Sequence, residues 1–92
     1  MPEPRQVVKT ARFQEELDRI LAEIPRADEA FRGFEHAVAR IPEHGMTVPG
    51  RPAEFRQRPF HTPEASYTVI YTFDDENVVC LSLRRVPSGP YA

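Results

Sequence analysis

The second half of the chain carries all of its positive charge as arginine. Positions 47 to 92 contain five basic residues, which are Arg51, Arg56, Arg58, Arg84 and Arg85. Arg56 and Arg58 stand two apart in an alternating segment, so a strand there places both side chains on one side. Phosphate binding depends on clustered positive charge. The net charge of −2 excludes a uniformly basic surface but allows a local basic face.

The histidines and the single cysteine do not combine into a metal site. His36 lies in a predicted helix, His44 just beyond its end, and His61 in a segment flanked by prolines. No spacing of these residues with Cys80 matches a metal-ligand pattern. A lone cysteine also excludes an intramolecular disulfide bond. We therefore expect no metal, no cofactor, and a reducing, cytoplasmic setting.

Length and hydropathy limit the class of protein. Ninety-two residues predict a single domain over 1–92. A chain of this size buries roughly 60–65% of its unfolded surface, which leaves little room for a deep, enclosed active site. No stretch approaches the roughly 18 apolar residues of a membrane span, and the first five residues lack the apolar core of a signal peptide. Neither secretion nor membrane insertion is expected.

A first amphipathic helix is predicted after a short β-prone run at 6–9. Thr10 is the predicted N-cap, because its hydroxyl can accept a free backbone N–H of the first turn. Pro25 ends the helix. Its apolar stripe recurs at steps of three and four residues and consists of Phe13, Leu17, Ile20, Leu21 and Ile24.

A second amphipathic helix is predicted directly afterwards, with Asp28 as its cap. Pro42 and Gly45 are expected to end it. Its apolar residues are Phe31, Phe34, Val38 and Ile41. Two such helices joined by about four residues predict an antiparallel hairpin that needs a further surface to cover its apolar side.

A β-hairpin is predicted in the C-terminal half. The runs 66–73 and 78–86 are rich in β-branched and aromatic residues, and the segment 74–77 between them has turn composition. A three-residue loop at 75–77, with Asn77 in a left-handed conformation, gives an apolar face. The expected pairs are Phe73 with Val79, Tyr71 with Leu81, and Val69 with Leu83.

The other face of this hairpin is the more polar one, and any function of the sheet is expected there. It would carry Thr68, Ile70, Thr72, Cys80, Ser82 and Arg84. The alternating segment 54–58 adds a further strand, with Pro59 at an edge or bulge. The predicted fold class is α+β, in the order β-α-α-β-β-β. A short N-terminal strand and a helical hairpin then pack on a small twisted antiparallel sheet.

Four segments of the sequence resemble the RelE/ParE toxin superfamily of bacterial type II toxin–antitoxin systems. They are Lys9-Thr10-Ala11-Arg12-Phe13, Arg56-Gln57-Arg58, the hairpin from Tyr67 to Leu83, and the tail from Arg84 to Tyr91. Together they span nearly the whole chain. Members of this superfamily are small proteins with a helical hairpin on a twisted antiparallel sheet, so the resemblance implies the same RelE-like fold.

The resemblance to the RelE branch also implies a catalytic site that cleaves messenger RNA within the ribosome. It implies a basic cluster of Arg56, Arg58 and either Arg84 or Arg85, with Tyr91 near the C-terminus. Attack of a 2′-hydroxyl group on a phosphodiester needs positive donors around the phosphate and a group that moves protons. Arginines supply the donors without a metal, and Tyr91 or His61 could move the protons.

Three functions stay open at the level of sequence. The first is a RelE-like ribosome-dependent endoribonuclease that inhibits translation. The second is a ParE-like toxin that binds DNA gyrase without nuclease activity, which suits Thr68, since the family commonly has an arginine at this place. The third is an inactive protein-binding module of the same fold. For the toxins the resemblance implies a cognate antitoxin as partner, with messenger RNA on the ribosome or gyrase as target.

Overall fold

A computed structural model describes residues 3–86 of the chain, in which one short strand is followed by two helices and four further strands, and the five strands form one sheet. The strands are β1 (Gln6–Lys9), β2 (Met46–Thr47), β3 (Phe55–His61), β4 (Ser66–Phe73) and β5 (Asn77–Val86), and the helices are α1 (Ala11–Glu23) and α2 (Ala27–Arg40). A 3₁₀ turn at Pro42–His44 links α2 to β2. The sheet order is β1-β5-β4-β3-β2.

The predicted fold class is confirmed, with two additions to the sheet. The pairs β2–β3, β3–β4 and β4–β5 are antiparallel. Strand β1 pairs in parallel with β5, from Gln6 opposite Asn77 to Lys9 opposite Cys80. Strand β2, of only two residues, was not predicted. Both helices contribute buried residues to one core with the sheet. No helix within residues 3–86 is long and apolar enough to cross a membrane.

Helix α1 forms as the sequence predicts. The backbone N–H of Phe13 donates to the Thr10 hydroxyl at 3.2 Å, which is the expected N-cap bond. Phe13 and Leu17 are buried, and Ile20 packs against the same core. The helix ends at Glu23, ahead of Pro25.

The predicted cap of α2 is wrong, because the helix begins at Ala27 rather than after Asp28. The backbone N–H groups of Ala27, Asp28 and Glu29 donate to the carbonyl oxygens of the three residues 24–26. These tight turns satisfy donors that a capping side chain would otherwise bind. The Asp28 carboxylate instead lies 3.1 Å from the Arg32 guanidinium in the first turns of the helix.

The β4–β5 hairpin is confirmed, and its predicted register holds from Ser66 opposite Val86 to Ile70 opposite Ser82. Of the three expected pairs, Val69 with Leu83 is therefore confirmed, whereas the two nearer the turn are wrong. A bulge between Ile70 and Tyr71 leaves Leu81 as an extra residue of β5. Tyr71 therefore pairs with Cys80 and Phe73 with Val78, which turns those two β5 side chains inward. Cys80 is buried in the core, not on the polar face where it was expected.

The turn of this hairpin also differs from the prediction. Asn77 is not left-handed, since no residue other than glycine has a positive φ within residues 3–86. The Asp74 carboxylate accepts the backbone N–H groups of Glu76 and Asn77 at 2.8 and 2.7 Å. These bonds lower the pKa of Asp74 and shape the turn, so a left-handed residue is not needed.

The core between helices and sheet is aromatic. The Phe31 ring lies 5.4 Å from Phe13 and 5.8 Å from Phe60, and the Phe60 ring stacks on Tyr67 at 5.2 Å. The Phe34 ring meets Tyr71 edge-on at 6.0 Å. The helices and the strands thus contribute rings to one aromatic cluster. This cluster determines which face of the sheet the helices cover.

Candidate functional site: an arginine-lined cleft on the outer face of the sheet

The pairing of the strands places the predicted arginines on two different faces. Arg56 pairs with Tyr71 and Arg58 with Val69, and both partners are buried beneath the helices. Arg84 pairs with Thr68, one residue away from Val69, and so lies on the opposite face. We call the side that the helices cover the helix face and the other side the outer face. The structure therefore does not bring these arginines into one cluster.

Arg56 is engaged with the backbone rather than free. Its Nε donates to the carbonyl oxygen of Ala53 at 2.6 Å, and its Nη1 donates to those of Glu43 at 2.7 Å and Gly45 at 3.0 Å. The guanidinium group also lies 5.8 Å from the centre of the Phe73 ring. Arg56 is therefore a half-buried residue that is bound to the surrounding backbone.

Arg58 lies near enough to Tyr71 for its charge to act on the phenol. The sequence predicts Tyr71 only as an apolar-face residue and not as part of a site. The Tyr71 side chain is fully buried, and its hydroxyl group donates to the Pro42 carbonyl oxygen at 2.6 Å. Burial raises the pKa of Tyr71 above its ordinary value, and the charges of Arg58 and Arg56 oppose this effect only in part. Tyr71 stays protonated at neutral pH and is unsuited to act as a base.

Arg85 pairs with Tyr67 and lies on the helix face, next to α1. It borders a cleft of about 180 Å³ together with Glu16, Arg19 and Glu23. Positive and negative side chains alternate around this cleft. An isolated phosphate group would meet carboxylates there as well as guanidinium groups, so this cleft is the poorer anion site.

Of the two proton-transfer candidates, the structure describes only His61, and the cleft that it borders includes none of the four predicted arginines. The Nδ1 atom of His61 lies 2.8 Å from the Ser66 hydroxyl at the end of the β3–β4 hairpin, in an exposed position. His61 borders a small cleft beside Arg26 and Glu29 of α2. Tyr91 lies outside the described residues.

The outer face carries a cleft of about 260 Å³ with three arginines at its rim: Arg12, Arg51 and Arg84. They come from the first turn of α1, the β2–β3 connection and the end of β5. The cleft is also lined by Ser82 and by the apolar side chains of Val48, Phe55, Ile70 and Leu81. No acidic residue of the described chain lines it.

Chain topology explains how α1 contributes to a cleft on the outer face. Strand β1 ends at Lys9, opposite Cys80, so it pairs with no later residue of β5. Thr10 then donates its backbone N–H to the Cys80 carbonyl oxygen at 3.2 Å, which holds the start of α1 beside Leu81. Arg12 follows two residues later and reaches the cleft from this edge.

The charge at the rim is only partly compensated. Arg12 forms a 3.9 Å ion pair with Glu16, one turn along α1. Neither Arg51 nor Arg84 forms an ion pair within residues 3–86. The Arg51 guanidinium lies 5.4 Å from the centre of the Phe55 ring. Three exposed guanidinium groups above an apolar floor suit an anion with a flat apolar part, such as a nucleotide.

Sequence reasoning missed Arg12 and Arg51 as site residues because one lies in a helix and the other in a connection, outside the strands whose alternation identifies a shared face. One local signal for Arg51 exists in Pro49-Gly50, which predicts a tight turn that projects the next residue. The cleft lies on the face of Ile70, Ser82 and Arg84, and the expectation that function lies on this face stays a prediction.

Neither metal nor thiol chemistry is apparent in the described residues. Residues 3–86 contain no group of three histidine, cysteine or acidic side chains placed to hold a metal ion. Burial raises the pKa of Cys80 to about 12, so this thiol is not a nucleophile at neutral pH. Comparison of the chain with protein-family models, curated proteins and solved structures gives no match in any of the three.

Proposed function

We propose that this chain is a toxin of the RelE/ParE type that cleaves messenger RNA on the ribosome and thereby inhibits translation in the cytoplasm. A cognate antitoxin protein is its proposed partner. The observation that carries the proposal is the outer-face cleft, where Arg12, Arg51 and Arg84 surround an apolar floor. The order of helices and strands supports it further, since it agrees with the order expected from the sequence apart from the two-residue strand β2.

In the proposed reaction the cleft binds the scissile phosphate. The 2′-oxygen attacks phosphorus, the bond to the 5′-oxygen breaks, and the guanidinium groups stabilise the charge that develops on the phosphate oxygens. One proton leaves the 2′-hydroxyl and one reaches the departing 5′-oxygen. No histidine, tyrosine or carboxylate of the described chain lines the cleft. The proposal therefore assigns proton transfer to Tyr91, as the resemblance implies.

One observation favours a second candidate, the ParE-like toxin that inhibits gyrase without nuclease chemistry. Thr68 lies on the outer face opposite Arg84. Because threonine is uncharged, it does not add a fourth cation to the three arginines of this face. A surface that binds a protein needs neither that cation nor a proton-transfer group.

Inducible expression in a bacterial host without the antitoxin tests the proposal. Growth is followed, and the ends of messenger RNA are mapped by primer extension for the wild type, Arg84→Ala and Arg32→Ala. Arg32 is an exposed arginine of α2 and serves as the matched control. We expect arrest with new ends inside translated codons for the wild type and Arg32→Ala, and loss of both effects in Arg84→Ala.

Two other outcomes contradict the nuclease proposal. Arrest of growth with intact messages favours the gyrase candidate. Normal growth with soluble, folded wild-type protein leaves only the inactive binding module.

A further inference from the structure

The connection between β2 and β3 presents Arg51 to the outer-face cleft but has little packing of its own. It comprises residues 48–54, all exposed except the half-buried Val48. Two turns shape it. The N–H of Arg51 donates to the Val48 carbonyl oxygen at 3.1 Å, and that of Phe55 to the Pro52 carbonyl oxygen at 2.9 Å. Gly50, with φ of 78°, supplies the left-handed residue of the first turn.

Arg56 ties both ends of this connection to one guanidinium group. Its bond to the Ala53 carbonyl oxygen lies on the β3 side, and its bonds to Glu43 and Gly45 lie ahead of β2. Charge-assisted hydrogen bonds of 2.6 to 3.0 Å are the strong ones in proteins. The exposed seven-residue connection is thereby closed at its base by a rigid fork of donors.

A second set of contacts holds Arg56 itself in place. Its guanidinium group lies 5.8 Å from the centre of the Phe73 ring of β4. The Phe73 N–H also donates to the Glu54 carbonyl oxygen at 3.2 Å, which joins the end of the connection directly to β4. On its other side, a Cβ atom at Gly45 would overlap the Tyr71 hydroxyl and contact the Arg56 side chain. Arg56 is thus also held from outside the connection, by β4 and by the residues at the 3₁₀ turn.

We propose that Arg56 is a positioning residue of the outer-face cleft: from the helix face, it holds the β2–β3 connection so that Arg51 meets the phosphate of a bound RNA. This inference rests on the proposed function, because it needs the cleft to bind RNA. It assigns Arg56 an indirect role through Arg51, in place of the catalytic role that the sequence resemblance implies.

A double-mutant cycle tests the proposal. The probe is a fluorescein-labelled, 2′-O-methylated oligoribonucleotide of eight residues, which the reaction cannot cleave. Its dissociation constant is measured by anisotropy at several salt concentrations for the wild type, Arg51→Ala, Arg56→Ala and the double variant. Arg32→Ala is the surface control and Arg84→Ala is the positive control for the cleft.

We expect Arg51→Ala and Arg56→Ala each to weaken binding roughly fivefold to tenfold, the order of magnitude for one lost charge-assisted contact. We expect the double variant to bind about as well as Arg51→Ala alone, since coupled residues are not additive. The magnitude of the slope of log K against log salt concentration should fall by about one in all three variants, as expected for the loss of one phosphate contact. A general loss of stability would not produce this pattern.

Each contrary result has a distinct meaning. If the wild type does not bind, or Arg84→Ala binds as the wild type does, the cleft is not an RNA site and the proposed function fails together with this inference. If Arg84→Ala weakens binding but the losses from Arg51→Ala and Arg56→Ala multiply, the inference alone is wrong. Unchanged binding by Arg56→Ala also overturns it.

A second variant keeps the test valid if Arg56→Ala does not fold. Arg56→Lys retains the charge but cannot form the three bonds of the fork. We expect faster amide hydrogen exchange at Arg51 and Phe55 in this variant, with unchanged protection in α2. Unaltered exchange at both positions would overturn the positioning role.

Discussion

The hydroxyl group of Tyr71 donates a 2.6 Å hydrogen bond to the carbonyl oxygen of Pro42, so strand β4 is joined to the 3₁₀ turn that follows α2. Both residues are buried. Tyr71→Phe leaves this carbonyl oxygen without its partner. We expect the free energy of unfolding to fall by about 1–2 kcal/mol, the usual cost of an unsatisfied buried acceptor. Urea denaturation at pH 7 measures it, and an unchanged midpoint would show that the bond contributes nothing.

The same tyrosine predicts a pH dependence. Burial raises the pKa of Tyr71 in the folded state above the ordinary 10.0. The unfolded chain therefore loses this proton at a lower pH than the folded chain does, and the phenol's contribution is fully present below about pH 10 and lost above it. Tyr71→Phe should show a smaller decline of stability between pH 10 and 11 than the wild type. Parallel declines would contradict this assignment.

Two glycines provide a matched pair of substitutions. A Cβ atom at Gly45 would overlap the Tyr71 hydroxyl, whereas one at Gly33 meets nothing within 4 Å. We expect Gly45→Ala to lower the free energy of unfolding by about 1–3 kcal/mol, as overpacking does. Gly33→Ala, on the exposed side of α2, should raise it by roughly 0.5–1 kcal/mol. Thermal unfolding of the two variants checks both signs, and a stable Gly45→Ala protein would refute the close approach.

The thiol of Cys80 should be protected until the protein unfolds. It is fully buried on the helix face, and burial raises its pKa to about 12. At pH 8 an aromatic disulfide reagent should therefore label the native protein only as fast as the chain unfolds, and the rate should rise with added urea. Complete labelling within the mixing time without urea would place Cys80 on the exposed face that the sequence pattern predicts.

The elements of the fold could be predicted because each has a local signal. The Thr10 cap and the three- and four-residue spacing from Phe13 to Leu17 specify α1, and turn composition at 74–77 specifies the β4–β5 hairpin. The bulge at Leu81 could not be predicted, since both registers bury apolar pairs. Pairing Tyr71 with Cys80 needs the packing of the helices to favour it, which is not a local property.

The candidate site was less predictable for a related reason. Arg12, Arg51 and Arg84 come from three segments that only the folded chain brings to one cleft. Conversely, Arg56 and Arg58 follow the strand alternation expected of them, yet their face is the one that the helices cover. Alternation indicates that two side chains share a face but not which face stays open.

The most direct test of the outer-face cleft compares Arg84→Ala with Arg85→Ala. These residues are neighbours in sequence, both are exposed, and β5 places them on opposite faces. Binding of the 2′-O-methylated oligoribonucleotide is measured for both purified variants at one low salt concentration. We expect Arg84→Ala to weaken binding roughly fivefold or more and Arg85→Ala to bind nearly as the wild type does. Equal losses in both variants, or a loss in Arg85→Ala alone, would contradict this expectation.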